Sequence, residues 1–332
     1  MKAVQLLKYN KRYPKMKLED ITLPDLGLND VLVEITAAGV NPVDNMIARG
    51  DLKFLLPYKL PQTMGNEFVG VIKKIGANVT EFSVGDRVFA RMPIKKIGSF
   101  AQQAVINKHA LAKVPDYLTD EEAAAVPLDA LTAVQALNKL HGKPGDTLFI
   151  SAGTGGFGQM AIPLAVHRGY KVIVSGNPAH EQQVKDLGAT TFIDYKTEKV
   201  SDVVSQVDYI IDGLGGKALK DEMRLLKPGG TIVSLKGVPD KKYAERVGLA
   251  HGQTIVFSIL GARIDHLAKQ KHQHYYFIFV NSCGSELAQA AKVLTEMKIH
   301  PAIGDIYSLD EYGEALYRIA QGHTDGKVII KM

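Results

Sequence analysis

The middle of the chain alternates between strand patterns and helix patterns, and this alternation limits the possible folds more than any other feature. Short apolar or β-branched runs predict strands over residues 147–151, 171–175, 191–193, 208–212 and 231–235. Helical patterns lie between them, over residues 158–168, 180–187 and 218–226. Such an alternation predicts a parallel, doubly wound sheet, because crossover helices join parallel strands.

Residues 1–115 have a different character and predict a β-rich domain. Apolar or alternating runs separated by turn signals predict strands over residues 30–35, 68–75, 85–90, 100–106 and 110–114. Many short strands of this kind are typical of a small barrel or sandwich. Thr119 and Glu122 form a predicted capping box before a helical region. The last part of the chain predicts a strand over 274–280, helices over 285–298 and 309–321, and a strand over 327–331.

Composition excludes several classes of protein. The 332 residues, of which 46% are hydrophobic and 23% charged, fit two soluble domains or one large α/β unit. The net charge of +5 comes from scattered basic residues, so no nucleic-acid partner is expected. The longest apolar runs are far shorter than the ~20 residues of a membrane-spanning helix. No membrane span is expected, and no secretory signal is visible.

A single cysteine, Cys283, limits the redox and metal chemistry. It allows no intrachain disulfide, which fits a reducing compartment, and we expect a cytoplasmic protein. A structural metal site made only of cysteines is also excluded, because such sites need several thiolates.

The sequence Gly-Thr-Gly-Gly-Phe-Gly carries the clearest functional signal. This G-x-G-x-x-G pattern follows a predicted strand and opens a predicted helix. Its glycines permit a tight turn and a close approach of the backbone to a pyrophosphate at the helix N-terminus. The alternative is a glycine-rich turn that binds no nucleotide. The predicted dinucleotide site comprises Gly153, Thr154, Gly155, Gly156, Phe157 and Gly158.

The end of the second predicted strand distinguishes the two nicotinamide cofactors. NAD sites usually place an acidic residue there to bind the ribose 2′-hydroxyl. This chain has Ser175, Gly176 and Asn177 instead, with no acidic residue before Glu181. Because an acid would repel a 2′-phosphate whereas hydroxyl and amide groups bind it, we expect NADP(H). A polar turn that accepts both cofactors is the alternative.

Further short motifs follow one another along almost the whole chain. They are AGVNPVD (38–44), GNEFVGV (65–71), VGDRV (84–88), LTA (131–133), LGA (187–189) and GHTDGKV (322–328). Together with the glycine motif they resemble the medium-chain dehydrogenase/reductases, in the zinc-independent branch of quinone oxidoreductases and enone (alkenal) reductases. The insertion over residues 49–61 is most similar to a subgroup that includes plastid envelope quinone oxidoreductase homologues.

The resemblance implies a two-domain α/β fold. A GroES-like β-barrel domain for the substrate would comprise residues 1–122 and 299–332, and a Rossmann-like NADP(H) domain would comprise residues 123–298. The active-site cleft would lie between the domains. The resemblance also implies a homodimer through strand 274–280, whose aromatic and β-branched edge would otherwise be an aggregation hazard.

The resemblance also indicates an enzyme without zinc. Zinc-dependent relatives carry a cysteine where this chain has Asn41 and a histidine where it has Asn66. A catalytic zinc site needs three protein ligands. We interpret His272 and His274, which have metal-like spacing, as surface or interface histidines.

Several residues are expected at the cofactor because of their place in the family pattern. Asn177 takes a position that is serine-like in NADP-dependent relatives, and His180 takes the place of a lysine that binds the 2′-phosphate. Because histidine has an unperturbed pKa of about 6.5, 2′-phosphate binding is expected to strengthen towards about pH 6. Tyr195 would pack beside the same phosphate, or is only a strand-end tyrosine. Contacts with the nicotinamide or its channel are implied for Thr132, Leu214, Gly215, Phe279 and Val280.

The resemblance implies hydride transfer from NADPH to a quinone or to the C=C bond of an α,β-unsaturated carbonyl compound. Asn41 is the candidate to touch the nicotinamide ribose or the substrate oxygen, unless it only caps the turn before Pro42. Tyr58 could donate to the substrate or only pack. Asp44 and Glu67 are interpreted as structural acids that accept amide hydrogen bonds.

Two alternatives remain open at this point. One is an NADP(H)-binding protein with little turnover, in a structural, sensory or RNA-binding role. The other, a zinc alcohol dehydrogenase, is disfavoured by the missing ligands.

Overall fold

Two units divide the chain in the computed structural model, which describes residues 1–322 and 324–332. The first unit is discontinuous and comprises Met1–Leu131 and Asn281–Met332, and the second comprises Thr132–Val280. The domain boundaries expected from the resemblance stay a prediction. His323, part of the closing GHTDGKV motif, lies outside the described residues.

The first unit is built mainly of β-sheet. Its strands are β1 (Lys2–Lys8), β2 (Lys15–Asp20), β3 (Asp30–Val40), β4 (Gln62–Thr63), β5 (Glu67–Ile75), β6 (Arg87–Arg91), β7 (Gln103–Asn107), β8 (Leu111–Lys113), β15 (Ile303–Ser308) and β16 (Lys327–Lys331). A three-stranded sheet has the order β2-β1-β4, and a larger sheet has the order β15-β16-β3-β5-β6-β8, with β7 paired to β3. Strand β16 therefore lies between β15 and the much earlier β3.

Helices complete the first unit. They are α1 (Pro42–Arg49), α2 (Asp120–Ala124), α10 (Gly284–Met297) and α11 (Tyr312–Gln321), and α3 (Pro127–Leu140) runs across the division between the units. Pro42 at the first position of α1 fits a site where a backbone N–H has no partner. Gly50 ends α1 in the left-handed conformation, with φ 76°. The predicted capping box of Thr119 and Glu122 is confirmed at α2.

The second unit is a parallel six-stranded sheet with helices. Its strands are β9 (Thr147–Ile150), β10 (Lys171–Gly176), β11 (Thr191–Asp194), β12 (Val207–Asp212), β13 (Leu226–Ser234) and β14 (His274–Phe277). Its helices are α4 (Gly156–His167), α5 (Glu181–Asp186), α6 (Val200–Val203), α7 (Gly216–Glu222), α8 (Lys241–Arg246) and α9 (His251–Gln270). All neighbouring strands are parallel, in the order β11-β10-β9-β12-β13-β14. The predicted α/β class with a doubly wound parallel sheet is confirmed.

The strand predicted over residues 274–280 is shorter in the structure and ends at Phe277. Its neighbour β13 ends at Ser234, whose carbonyl accepts one further hydrogen bond, from the Ile278 amide at 3.2 Å. Residues after Ile278 therefore have no strand to pair with on that side.

Two further differences lie in the second unit. The helix predicted over residues 218–226 ends at Glu222, and Leu226 instead begins β13 by pairing with Val207. No element is predicted over residues 236–273, where the structure has α8 and α9. Among the described residues, no helix is long and apolar enough to cross a membrane.

Candidate functional site

The glycine motif forms the turn between β9 and α4. The Gly153 amide donates to the Ser175 carbonyl at 3.0 Å, which ties the turn to β10. A Cβ on Gly158 would lie 1.8 Å from the Gly153 carbonyl oxygen, so only glycine allows this close approach. A Cβ on Gly155 would meet nothing within 4 Å. The turn thus leaves open space before the N-terminus of α4, and it fits a dinucleotide pyrophosphate.

The turn after β12 lies at the same edge of the sheet, because β9 and β12 are parallel neighbours. Asp212 is buried, and its Oδ1 accepts the amides of Leu214 (2.8 Å) and Gly215 (2.7 Å). The Ser151 hydroxyl accepts the Gly213 amide at 3.0 Å. Strand order reverses between β9 and β12, and the crevice at such a point is where doubly wound sheets bind nucleotides. The structure therefore brings predicted residues Leu214 and Gly215 to the same crevice as the glycine turn.

A buried acid lies beneath this turn. Burial, and then the charge of Asp212, raise the pKa of Glu222 to about 8. Glu222 is therefore mostly protonated at neutral pH, which avoids two buried negative charges side by side.

The end of β10 carries polar groups but no acid. Asn177 Oδ1 accepts the Ala179 amide at 3.3 Å, and the Asn177 amide donates to Thr154 Oγ1 at 3.3 Å. Ser175 is 5% exposed, so its hydroxyl faces the interior more than the solvent.

Two further side chains follow at the end of β11. Tyr195 is 54% exposed, and Lys196 Nζ lies 5.9 Å from its ring centroid. Because Gly176 of β10 pairs with Asp194 of β11, both side chains are carried to the neighbourhood of Asn177. His180, half-buried in a short 3₁₀ turn, follows Asn177 on the other side. Lys196 is the cation of this group, and it was not predicted.

A second polar cluster is buried in the first unit around Lys327. Lys327 Nζ lies 2.7 Å from Asn41 Oδ1, 2.7 Å from Glu67 Oε1 and 2.8 Å from Asp129 Oδ2. Burial alone would lower the pKa of Lys327, but the carboxylates of Asp129 and Glu67 outweigh it and raise that pKa. The cluster was not predicted, because its members come from distant parts of the sequence.

Both the nitrogen and the oxygen of the Asn41 carboxamide form hydrogen bonds within this cluster. Asn41 Nδ2 donates to Glu67 Oε1 at 2.7 Å and to the Gly39 carbonyl at 3.3 Å, while Oδ1 accepts from Lys327. The other oxygen of Glu67 accepts the Leu128 amide at 2.6 Å. Asn41 is therefore held in one orientation, with no amide hydrogen left for a ligand in this arrangement.

Asp44 adjoins this cluster through Asn66. Asp44 Oδ1 accepts from Asn66 Nδ2 at 2.7 Å, and Oδ2 accepts the Asn41 amide at 2.8 Å. These contacts agree with the interpretation of Asp44 as an acceptor of amide hydrogen bonds. Burial is the largest influence and raises the pKa of Asp44 to about 7, against the effect of those hydrogen bonds.

Tyr58 and Arg91 lie close to the same acids. Burial raises the pKa of Tyr58 to about 12, and its hydroxyl donates to the Ile94 carbonyl at 2.6 Å. Arg91 is 1% exposed and stands opposite Glu67 in the β5–β6 pair. Burial lowers the pKa of Arg91 to about 10. Arg91 is not among the site residues predicted from the sequence.

Comparisons with known proteins agree with both units. The family model described as "Alcohol dehydrogenase GroES-like domain" matches residues 27–116, and that described as "Zinc-binding dehydrogenase" matches residues 187–330. The quinone oxidoreductase of Coxiella burnetii superposes over 100% of this chain and 99% of its own, with a TM-score of 0.83 and 29% identity. The chain belongs to the medium-chain dehydrogenase/reductase family.

Two other members of the family are similar in sequence. The mitochondrial NAD(P)H oxidoreductase RTN4IP1 of Danio rerio is 29% identical, over 100% of this chain and 91% of that protein. The chloroplastic NADPH-dependent alkenal/one oxidoreductase of Arabidopsis thaliana is 31% identical, over 67% of this chain and 59% of that protein. The resemblance seen in the sequence motifs is thereby confirmed.

The name of one matching model raises the question of zinc in this member of the family. Within residues 1–322 and 324–332, no group of three or more His, Cys, Asp or Glu side chains could hold a metal. Asn41 and Asn66 stand where the resemblance implies two zinc ligands in zinc-dependent relatives. The Asn41 side chain donates to Glu67, and the Asn66 side chain donates to Asp44. His272 and His274 are exposed. Zinc independence stays a prediction.

Four further residues were predicted to contact the cofactor. Thr132 is half-buried in α3, Phe157 lies in the first turn of α4, and Phe279 and Val280 follow the end of β14. Their contacts with a cofactor stay predictions.

Proposed function

We propose that this member of the family is an NADPH-dependent oxidoreductase. It transfers a hydride, without a metal, to a quinone or to the C=C bond of an α,β-unsaturated carbonyl compound. The observation that carries the proposal is the glycine turn at the point where the strand order of the parallel sheet reverses. The names of relatives, which include quinone oxidoreductase and alkenal/one oxidoreductase, support both substrate classes.

The preference for NADPH over NADH is part of the proposal. Lys196, Tyr195 and Asn177 would hold the 2′-phosphate, and the end of β10 has no carboxylate to repel it. Since Oδ1 of Asn177 accepts the Ala179 amide, its Nδ2 is the group that points donors at a phosphate. Affinity for NADPH and NADH, measured by quenching of protein or cofactor fluorescence, tests this part directly.

NADPH supplies the hydride when bound, and the chain supplies position and electrostatics. Reduction of an enone places negative charge on its carbonyl oxygen, so the site needs hydrogen-bond donors there. Asn41 is fixed by Lys327 and Glu67. Because both hydrogens of its Nδ2 are already donated, we propose that Asn41 contacts the nicotinamide ribose through the second lone pair of Oδ1. Tyr58 would reach a substrate oxygen only by leaving the Ile94 carbonyl.

A homodimer completes the proposal. Within the described chain, β14 pairs only with β13 and so leaves one edge of the six-stranded sheet free. Helix α9, which packs on β14, exposes Ile255 (48%), Ile259 (71%) and Leu260 (54%). A second copy that pairs at β14 would cover both the free edge and apolar residues of α9.

A cytoplasmic location also remains part of the proposal. The single cysteine, half-buried and free, supports a reducing compartment. Named relatives are mitochondrial or chloroplastic, so cell fractionation in the source organism is the relevant test.

The decisive experiment measures NADPH oxidation by chelator-treated protein with a panel of enones and quinones, and with NADH in parallel. Turnover of either class supports a reductase, and full activity with less than one metal per chain by elemental analysis supports the metal-free mechanism. Tight NADPH binding with no turnover of any acceptor would favour the non-catalytic alternative.

A further inference from the structure

Arg91 is a buried cation with unused hydrogen-bonding capacity. It is the last residue of β6, and the next residue, Met92, donates its amide to the Asn66 carbonyl at 2.7 Å. Among the described residues, its side chain makes one hydrogen bond, from Nη1 to the Met92 carbonyl. Its Nε is buried without a hydrogen-bond partner in the described part of the chain.

The acids around Arg91 are already used by other groups. Glu67, directly opposite in the β-ladder, accepts from Asn41, Lys327 and the Leu128 amide. Asp44 accepts from Asn66 and from the Asn41 amide. No described carboxylate forms an ion pair with Arg91. A buried guanidinium left in this state is costly unless a further negative group approaches it.

The net charge of the cluster does not oppose the binding of an anion. The carboxylates of Glu67 and Asp129 flank Lys327, and Arg91 adds a second positive charge beside Glu67. When Asp44 is protonated, the four charges balance, and no excess of negative charge opposes an oxyanion at Arg91. Such a preorganised cation, buried away from solvent, stabilises developing charge better than solvent does.

We propose that Arg91 is a catalytic residue that binds the substrate oxygen on which negative charge develops. This inference rests on the proposed reductase function and adds the group that stabilises its transition state. The oxygen is the carbonyl oxygen of an enone or quinone, and free N–H groups of the guanidinium donate to it.

In the reduction of an enone, the β-carbon gains a hydride with its two electrons from NADPH, which is thereby oxidised to NADP⁺. The C=C π pair shifts, so that the carbonyl oxygen carries the charge next to Arg91. The α-carbon then takes a proton from water, and the carbonyl group is restored. Arg91 keeps its proton throughout.

The test compares Arg91→Met and Arg91→Lys with the wild type, using ethyl vinyl ketone and para-benzoquinone as acceptors. Loss of one oxyanion donor typically lowers kcat about 10²- to 10³-fold, and we expect this loss in Arg91→Met, with an unchanged Kd for NADPH. Arg91→Lys keeps the charge and is expected to lose about tenfold. Arg87→Met, on the same strand but in a half-buried ion pair with Asp120, is the control that retains wild-type kcat.

A second readout does not depend on turnover. para-Nitrophenol changes its visible spectrum on ionisation, and its phenolate resembles the oxyanion. In the presence of NADP⁺ we expect wild-type protein to bind the phenolate and lower the apparent pKa of the probe. Arg91→Lys should reduce that shift, and added guanidinium should restore part of the kcat of Arg91→Ala.

The outcomes separate the two claims. If the wild type reduces no acceptor but shifts the probe in an Arg91-dependent way, the reductase proposal fails and the anion site stands. If the wild type is active and folded Arg91→Lys or Arg91→Met matches it in both kcat and probe binding, the role of Arg91 is overturned. Should Arg91→Met not fold, the Arg91→Lys comparison decides.

Discussion

Lys327 Nζ lies 2.7 Å from Oε1 of Glu67, and both side chains are buried. The pair joins a strand near the start of the chain to the last strand of the described chain. Both members of the pair also form hydrogen bonds with Asn41, so the same ion pair fixes the orientation of that side chain.

Replacing Lys327 by Met should leave Glu67 and Asp129 as buried charges without the cation that they share. Breaking a buried ion pair from one side typically costs about 3–5 kcal/mol, and we expect a loss of this size in the free energy of unfolding in urea. Lys331→Met is the matched control, because Lys331 also forms an ion pair, with Glu121, but is itself exposed. The control should change stability by less than about 1 kcal/mol. Equal effects of both variants would contradict the importance of burial.

Asp44 should make stability depend on pH in an unusual direction. Its pKa rises from 3.8 in the unfolded reference to about 7 in the fold, so the folded state binds this proton more tightly. Its contribution to stability is complete below about pH 4 and is lost as pH rises towards 7. Asp44→Asn should therefore gain stability relative to the wild type over that window, by on the order of 1 kcal/mol per pH unit. Urea unfolding at several pH values measures the difference, and a constant difference would refute the buried proton.

Two glycines of the same turn should respond differently to alanine. Gly158→Ala would place a Cβ 1.8 Å from the Gly153 carbonyl oxygen, so the turn must distort and both stability and NADPH binding should fall. Gly155→Ala faces open space and should fold like the wild type. Its methyl group would occupy the side of the turn that we assign to the pyrophosphate, so NADPH affinity should fall about tenfold, or about 1.4 kcal/mol. Wild-type NADPH affinity in Gly155→Ala would move the nucleotide away from this turn.

The 2′-phosphate should be recognised by Lys196 and by His180, whose positions follow β11 and β10. Lys196→Gln should reduce the ratio of NADPH to NADH affinity about fivefold to tenfold, a typical effect of one charge-assisted contact. The nearby Lys199→Gln is the control. His180→Gln should match the wild type at about pH 8 and lose the gain expected towards about pH 6. A ratio that stays constant with pH in the wild type excludes His180 from this role.

A charge on the exposed face of α9 should separate the proposed dimer. Ile259→Glu is expected to give monomers in sedimentation while NADPH still binds, because Ile259 is 71% exposed in a single chain. Leu28→Glu, at a residue that is 64% exposed in the first unit, is the control and should stay dimeric. A dimer that survives Ile259→Glu would place the interface elsewhere.

Local patterns predicted the parallel sheet and the glycine turn, because a few adjacent residues determine each of them. The helix α9 escaped prediction for a physical reason. Its buried face carries Phe257 and Ile264 while its outer face carries Ile255 and Ile259, so the apolar residues do not follow a period of 3.6. The outer apolar face is the one that we propose a second copy covers.

The buried cluster could not be predicted for a different reason. Lys327, Asp129 and Glu67 are each ordinary charged residues in sequence, and only the pairing of β16 with β3 and of β3 with β5 brings two of them together. The family pattern drew attention to Asn41, but not to the groups that hold it. Arg91 likewise gains its meaning from its position opposite Glu67.

The discontinuous first unit has a consequence for the order of folding during translation. All strands of the second unit leave the ribosome before α10, whereas β3 must wait for β16 to complete its ladder. Contacts between such distant segments close late, because the entropy of loop closure opposes them. While the second unit forms, the nascent chain therefore carries an unpaired edge of β3, and Glu67 lacks its ion pair with Lys327. NADPH bound at the proposed site would stabilise the second unit at that stage by mass action.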